Sequence, residues 1–264
     1  MRAVFRPTRR NRNIGTARQG HGQNNRLTIP ERWQTSNWST ELSGCQQITH
    51  TLSGRAIHFF IEPLRPGFQH ACTIADVCVI LGLLPAEDWE GLNNVIFRQP
   101  TRKQTILTPT WGQLRYDATI SLTYGTELAE GPTVIFQATQ GRTTLKWGKS
   151  LGPEASLELQ RLEEDGHRVE RTARFTLIHT TVASVRATQL YRTLPHEIGH
   201  WVDYQQKVLR PEAEPGGNFF DLQDLYFARP QSEREAFAHR YADAKRAQLM
   251  AAKAIPFERD EQAD

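Results

Sequence analysis

The sequence predicts an α+β fold: a mostly antiparallel sheet in the middle of the chain, followed by helices. Three observations predict it. Between Asn94 and Trp147, short β-branched and aromatic runs alternate with Gly and Pro; from Thr181 onward the apolar spacing is helical; and the longest apolar run, Val77 to Leu84, is far short of the ~20 residues that cross a bilayer. The apolar residues must therefore be buried in a core made by the chain itself, with no membrane partner.

Residues 1–37 are rich in Arg, Asn, Gln and Gly without apolar period, which predicts a flexible arm. Order is expected from about Trp38, in a domain over 38–255. Arg55 to Glu62 has strand composition and is stopped by Pro63, Pro66 and Gly67. Thr73, with Asp76 three residues on, is an N-cap for a short buried helix ending at Gly82 to Pro85, and Pro85 to Leu92 predicts a second short helix. Strands are expected at Val95–Phe97, Thr105–Leu107, Gln113–Tyr116, Thr133–Gln137 and Thr143–Trp147. Pro153 opens a helix that Gly166 closes, and Arg174 to His179 is one more strand. Thr181 or Ser184 caps a helix through Leu190, Pro195 starts the next, running to about Val208, and Ser232 caps a long helix from Glu233 to about Lys253. The acidic tail, 256–264, is expected to fray.

Charge is uneven along the chain. Residues 1–32 hold eight arginines against the single acid Glu31, so that stretch is +7, and with an overall charge of +3 the remainder is −4. An arm of this kind can neutralise nucleic-acid phosphates through residues 2–32, or serve as a solvated tail. Cys45, Cys72 and Cys78 suit neither a disulfide framework nor a metal knuckle, and the N-terminus lacks the pattern of a secretory signal. The expected location is cytoplasmic.

His196-Glu197-Ile198-Gly199-His200 places two imidazoles four residues apart, about 40° apart around a helix and roughly 6 Å along it. Both can reach one Zn²⁺, which accepts neutral imidazole nitrogen and, in catalytic sites, three protein ligands with a fourth position open. Glu197 leans to the same side as a base for a water that the metal polarises. Ile198, Trp201, Val202 and Val208 supply an apolar face for the same helix. Asp203 lies three residues past His200, where it can fix a ligand histidine's tautomer or simply face solvent.

No histidine follows in the compact HExxHxxGxxH spacing, so a third ligand has to come from elsewhere. Glu233 and Glu235 lie two apart, about 200° around a helix, so one of them can face the metal. The small Ala238 and Ala242 give the Glu235 side a low profile for close helix packing and favour Glu235; Glu233 stays the alternative.

HEIGHWVDY, followed some thirty-five residues later by EREAFAHRYAD, resembles the Glu-zincins, and especially the peptidase family of the lethal factor type. The resemblance spans roughly residues 195–243. It implies a zincin-like fold with the sheet packed on the HExxH helix and a C-terminal glutamate helix. It implies His196, His200 and Glu235 as zinc ligands, Glu197 as the base and Asp203 as the acid of the same helix. It also implies that Tyr226, the tyrosine nearest before the glutamate helix, hydrogen-bonds the transition state. In such enzymes an extended peptide pairs with an edge strand, for which Thr133–Gln137 or Thr143–Trp147 is the candidate. The expected function is a zinc-dependent endopeptidase acting on a protein or peptide. A nucleic-acid-associated protease recruited by the Arg-rich arm and a catalytically silent zinc-stabilised binding module are the alternatives.

Overall fold

A computed structural model describes residues 38–102, 110–123 and 125–259. The expected arm over 1–37, the strand at Thr105–Leu107 and residues 260–264 lie outside the described residues. Strands β1 (Trp38–Leu42), β2 (Gln46–Leu52), β3 (Arg55–Ile61), β5 (Asn94–Arg98), β6 (Gly112–Leu122) and β7 (Glu127–Gln137) form a six-stranded sheet in the order β1-β6-β7-β5-β3-β2. β9 (Arg142–Gly148), β10 (Arg168–Arg171) and β11 (Phe175–Thr181) form a second sheet in the order β10-β11-β9, and β4 (Phe68–Gln69) pairs with β8 (Thr139–Gln140).

The α+β class holds, but the main sheet is mixed where a mostly antiparallel one was expected. β1 runs parallel to β6, β3 to β5 and β5 to β7, whereas β2–β3 and β6–β7 are antiparallel. For β3 and β5 the cause is helix α1 (Ile74–Leu83) between them: a helical crossover returns the chain to the sheet in the same direction, which a tight turn cannot do. Burial agrees, since Asn94, Val95, Ile96 and Phe97 of β5 are all buried, as in a strand covered on both faces. α1 starts as its sequence predicts. Thr73 Oγ1 accepts from the Asp76 N–H and the Asp76 carboxylate accepts from the Thr73 N–H, both at 3.0 Å.

Pro153 stands in the first turn of α2 (Pro153–Glu164), and Gly166, at φ +90°, donates to the Glu163 carbonyl and ends it. From Val182 the chain is helical without a break to Glu212: α3 (Val182–Thr188), a π turn (Gln189–Thr193), α4 (Leu194–Tyr204), a second π turn (Gln205–Leu209) and α5 (Arg210–Glu212). Thr181 caps this run and Ser184 completes the capping box. Pro195 therefore does not begin a new helix. Each π turn ends two residues before a proline, Pro195 or Pro211, and the wider turn makes room for a ring that would clash with the carbonyl one regular turn back.

Asn218 caps α6 (Phe219–Ala228), a helix the sequence reading left out, and α7 (Gln231–Ala251) starts after Pro230, so Ser232 lies inside its first turn. The chain after Ile255 is docked up to residue 259: the Phe257 N–H donates to Tyr191 Oη at 3.2 Å and its carbonyl accepts from Arg186 at 3.2 Å. One face of the sheet (Phe59, Phe97, Phe136) packs on α1 and on Leu194, Ile198 and Trp201 of α4, and on the other face the strands' own Leu42, Phe60, Ile96 and Ile120 form a small buried cluster. Among the described residues no helix is long and apolar enough to cross a membrane.

Candidate metal centre

Helix α4 is seated from both sides. Trp201 Nε1 and Gln205 Nε2 donate to the Glu90 carbonyl at 2.7 and 2.8 Å, and in the preceding π turn the buried Gln189 amide donates to the carbonyls of Trp111 and Gln137. α7 crosses α4 at Gly199, where a Cβ would stand 3.0 Å from Ala238 Cα and 3.1 Å from both the Ala238 carbonyl and Tyr241 Cβ. Glycine on one helix and the fully buried Ala238 and Ala242 on the other allow this approach. It carries Glu235, one turn before Ala238, to the two histidines.

The donor atoms form a compact triangle. His196 Nε2 is 3.1 Å from His200 Nε2, and Glu235 Oε2 is 3.3 Å from the first and 3.5 Å from the second. Zinc at ~2.05 Å from each of three tetrahedral donors would hold them ~3.3 Å apart, so the three residues fit the ion in number, kind and spacing. The hydrogen bonds of His196 and then His200 hold the Glu235 carboxyl well below the usual carboxylate range. Glu233, 57 % exposed, pairs instead with Arg229 at 3.5 Å.

A second, looser triad shares two of these residues: a ring nitrogen of His239 lies within 4.8 Å of donor atoms of His196 and Glu235. The shorter separations favour His200 over His239 as the third corner. The His239 ring lies 4.5 Å, centroid to centroid, from that of His196 and is tilted 51° to it, its Nδ1 is 3.3 Å from Arg161 Nη1, and burial, followed by the charges of His196 and Arg161, pushes it down to about 4.

Glu197 is buried beside the triangle, and its Oε2 accepts the Leu114 N–H at 2.8 Å. That contact needs β6 to lie against the motif helix, and Gly112 permits it: a Cβ there would stand 2.8 Å from Thr193 Cγ2 and 3.0 Å from the Ile135 carbonyl. The bond orients the carboxylate and leaves its other oxygen available for a proton.

The remaining sequence candidates stand elsewhere. Asp203 is fully buried, and its carboxylate meets Arg229 Nη1 at 2.9 Å and Lys207 at 3.8 Å; it neither faces solvent nor reaches His196 and His200. Their Nδ1 atoms are buried without a hydrogen-bond partner among the described residues. Tyr226 is 2 % exposed, with its Oη 3.2 Å from Tyr116 Oη in a cluster with Tyr204 and Phe227. It is not on the wall of the cavity that His196, Glu197 and Glu235 face, because α6 packs it behind the motif helix.

That cavity measures about 1290 Å³ and is bounded by Trp111 and Gly112, by Thr143 to Trp147 of β9, by Glu158 and Arg161 of α2, and by Glu235 and His239 of α7. Of the two candidate edge strands, Thr133–Gln137 is interior, paired on both sides by β5 and β6. Among the described residues Thr143–Trp147 pairs only with β11, as the edge of its sheet, and it lines the cavity. Leu114 and Arg161 escaped the sequence reading, which has His239 or Tyr241 as the alternatives to Tyr226 for stabilising the oxyanion: a backbone N–H has no residue signature, although Gly112 beside Trp111 hints at a close approach. Compared with known proteins, the chain matches no family model, no curated protein and no solved structure.

Proposed function

We propose that the chain is a zinc-dependent endopeptidase with a zincin-like fold, in which His196, His200 and Glu235 hold the metal and Glu197 is the general base. The observation that carries the reading is the 3.1–3.5 Å triangle of two imidazole nitrogens and one carboxylate oxygen, with a second carboxylate buried beside it.

Bound zinc would supply Lewis acidity, polarising a carbonyl and acidifying a water. Glu197, turned by the Leu114 N–H, takes a proton from the attacking water and returns it to the leaving amine. The free side of β9 takes an extended peptide by main-chain pairing, drawing the chain across the triangle. The substrate is accordingly a protein or peptide with an extended segment, met in the cytoplasm. Recruitment to nucleic acid through residues 2–32 is a further proposal, and binding that weakens steeply with salt and vanishes with those residues would support it.

Glu197→Gln tests the central reading. It keeps size and zinc ligands but removes the base, so cleavage of a fluorogenic peptide library should fall ~10²–10⁴-fold at unchanged zinc content. Undiminished cleavage would remove Glu197 from the mechanism. The second reading is a silent zinc-stabilised binding module, and the His239 nitrogen favours it, since a fourth protein donor would close the coordination sphere.

A further inference from the structure

We propose that His239 is not a ligand but the oxyanion donor: Arg161 fixes its ring as the Nε2–H tautomer, and that N–H hydrogen-bonds the oxygen of the scissile carbonyl as it becomes negative. The proposal deepens the peptidase reading and rests on it.

The argument starts from Arg161 on α2. Its Nη2 is anchored on Asp243 Oδ2 at 3.2 Å, and its Nη1 approaches His239 Nδ1 at 3.3 Å. A guanidinium has five donors and no acceptor, so Nδ1 has to offer its lone pair. The ring proton is then on Nε2, and a nitrogen that carries a proton has no lone pair for a metal. A doubly protonated ring would set N–H against N–H at Nδ1. The same contact that keeps His239 from closing the metal site thus turns its outer nitrogen into a donor, and Nε2 has no hydrogen-bond partner among the described residues.

Position agrees. His239 lies one turn beyond Glu235 on α7, on the same helix side, touches the His196 ring in a tilted contact and lines the cavity. The tyrosines that would otherwise serve are occupied: Tyr226 Oη is buried against Tyr116, and Tyr241 Oη donates to Asp88 at 2.7 Å. Arg161 touches no part of the triangle and is a positioning residue.

The test uses the full chain with ¹⁵N-labelled histidine. Long-range imidazole NMR on zinc-free and zinc-loaded protein should show His239 with the proton on Nε2 in both states, and Arg161→Met should mix the two tautomers. His239→Phe should keep one zinc per chain with little change in KM and lose ~10²-fold in kcat on the best-cleaved peptide of a fluorogenic library. Three results overturn the proposal: a metal-type shift of His239 Nε2 on zinc addition, loss of zinc from His239→Phe, or full turnover by that variant. Wild type without turnover on any peptide overturns the peptidase reading together with the donor role, whereas failure of the donor role alone leaves wild-type cleavage intact.

Discussion

Gly199→Ala probes the helix contact on which the metal triangle depends. The new Cβ would meet Ala238 Cα at 3.0 Å and the Ala238 carbonyl and Tyr241 Cβ at 3.1 Å. Two of the three are backbone atoms and the third is a Cβ, none of which a rotamer change can move, so α7 has to recede by several tenths of an ångström. Alanine gains ~1 kcal/mol of helix propensity over glycine, and overpacking typically costs ~1–3 kcal/mol, so the variant should be ~0–2 kcal/mol less stable. Glu235 rides on the same helix three residues before Ala238, and a retreat draws its carboxylate from the 3.3 and 3.5 Å positions beside the histidines. Zinc affinity should fall about tenfold, within the range seen when the support of a metal site is disturbed. Urea unfolding of the zinc-free protein reads the first effect, and competition with a chelator reads the second. A variant more stable by ~1 kcal/mol with unchanged zinc affinity would refute the claim that close approach at Gly199 sets the geometry.

Three further outcomes are expected. Glu235→Ala should weaken zinc binding about tenfold or more while Glu233→Ala, which removes only an exposed pair with Arg229, leaves it intact; equal losses in a chelator titration would count against the triangle. Tyr226→Phe should cost ~1 kcal/mol of stability by deleting a buried hydroxyl contact and change turnover little, whereas a 10²-fold fall in kcat would mean that the phenol reaches the substrate. His167 is buried between Thr188 and Ser184, and burial, then the charge of Arg192, pushes it down to about 4. The native state then binds fewer protons than the unfolded chain between about pH 6.5 and 4, so this stability is full above the upper value and declines on acidification by up to roughly 3 kcal/mol. Urea midpoints across that range should drop less for His167→Gln than for wild type, and parallel curves would exclude the linkage.

What local chemistry dictates was legible in the sequence. The Thr73–Asp76 capping box, Pro153 and Gly166 at the ends of α2, and the start of a helix at Thr181 each depend on a few neighbouring residues, and the structure has all of them. The spacing of His196 and His200 and the small residues after Glu235 likewise point to the faces that meet. The parallel run of β3 and β5 was not legible, because it depends on where α1 packs and not on the strands it connects. Helix α6 was missed since Phe220 and Leu225 are exposed and blur its apolar face. Asp203 shows the limit of periodicity: its helix face was inferred, but its partner, Arg229, lies on a later segment that the period cannot reveal. The Arg161–His239 contact joins residues 78 apart, with no local trace in either.

The π turn at Gln189–Thr193 makes the long helix a coupling of fixed phase. Its upstream half is bolted to one part of the molecule, with Arg186 Nε on Asp76 at 2.9 Å and Ser184 Oγ on His167 at 3.1 Å, while its downstream half is bolted to α7 through Gly199 and the histidines. A π turn fits about one more residue into a turn than a regular helix does, so the five residues of this stretch advance the helix by about as much as four regular ones. Closing the wide turn while keeping all five residues would rotate one half against the other by about 100°, and either the motif would turn away from Glu235 or the upstream anchors would tear. Loss of one residue together with the wide turn keeps the two halves in phase, so a relative with this arrangement has either the π turn or one residue fewer between Arg186 and His196.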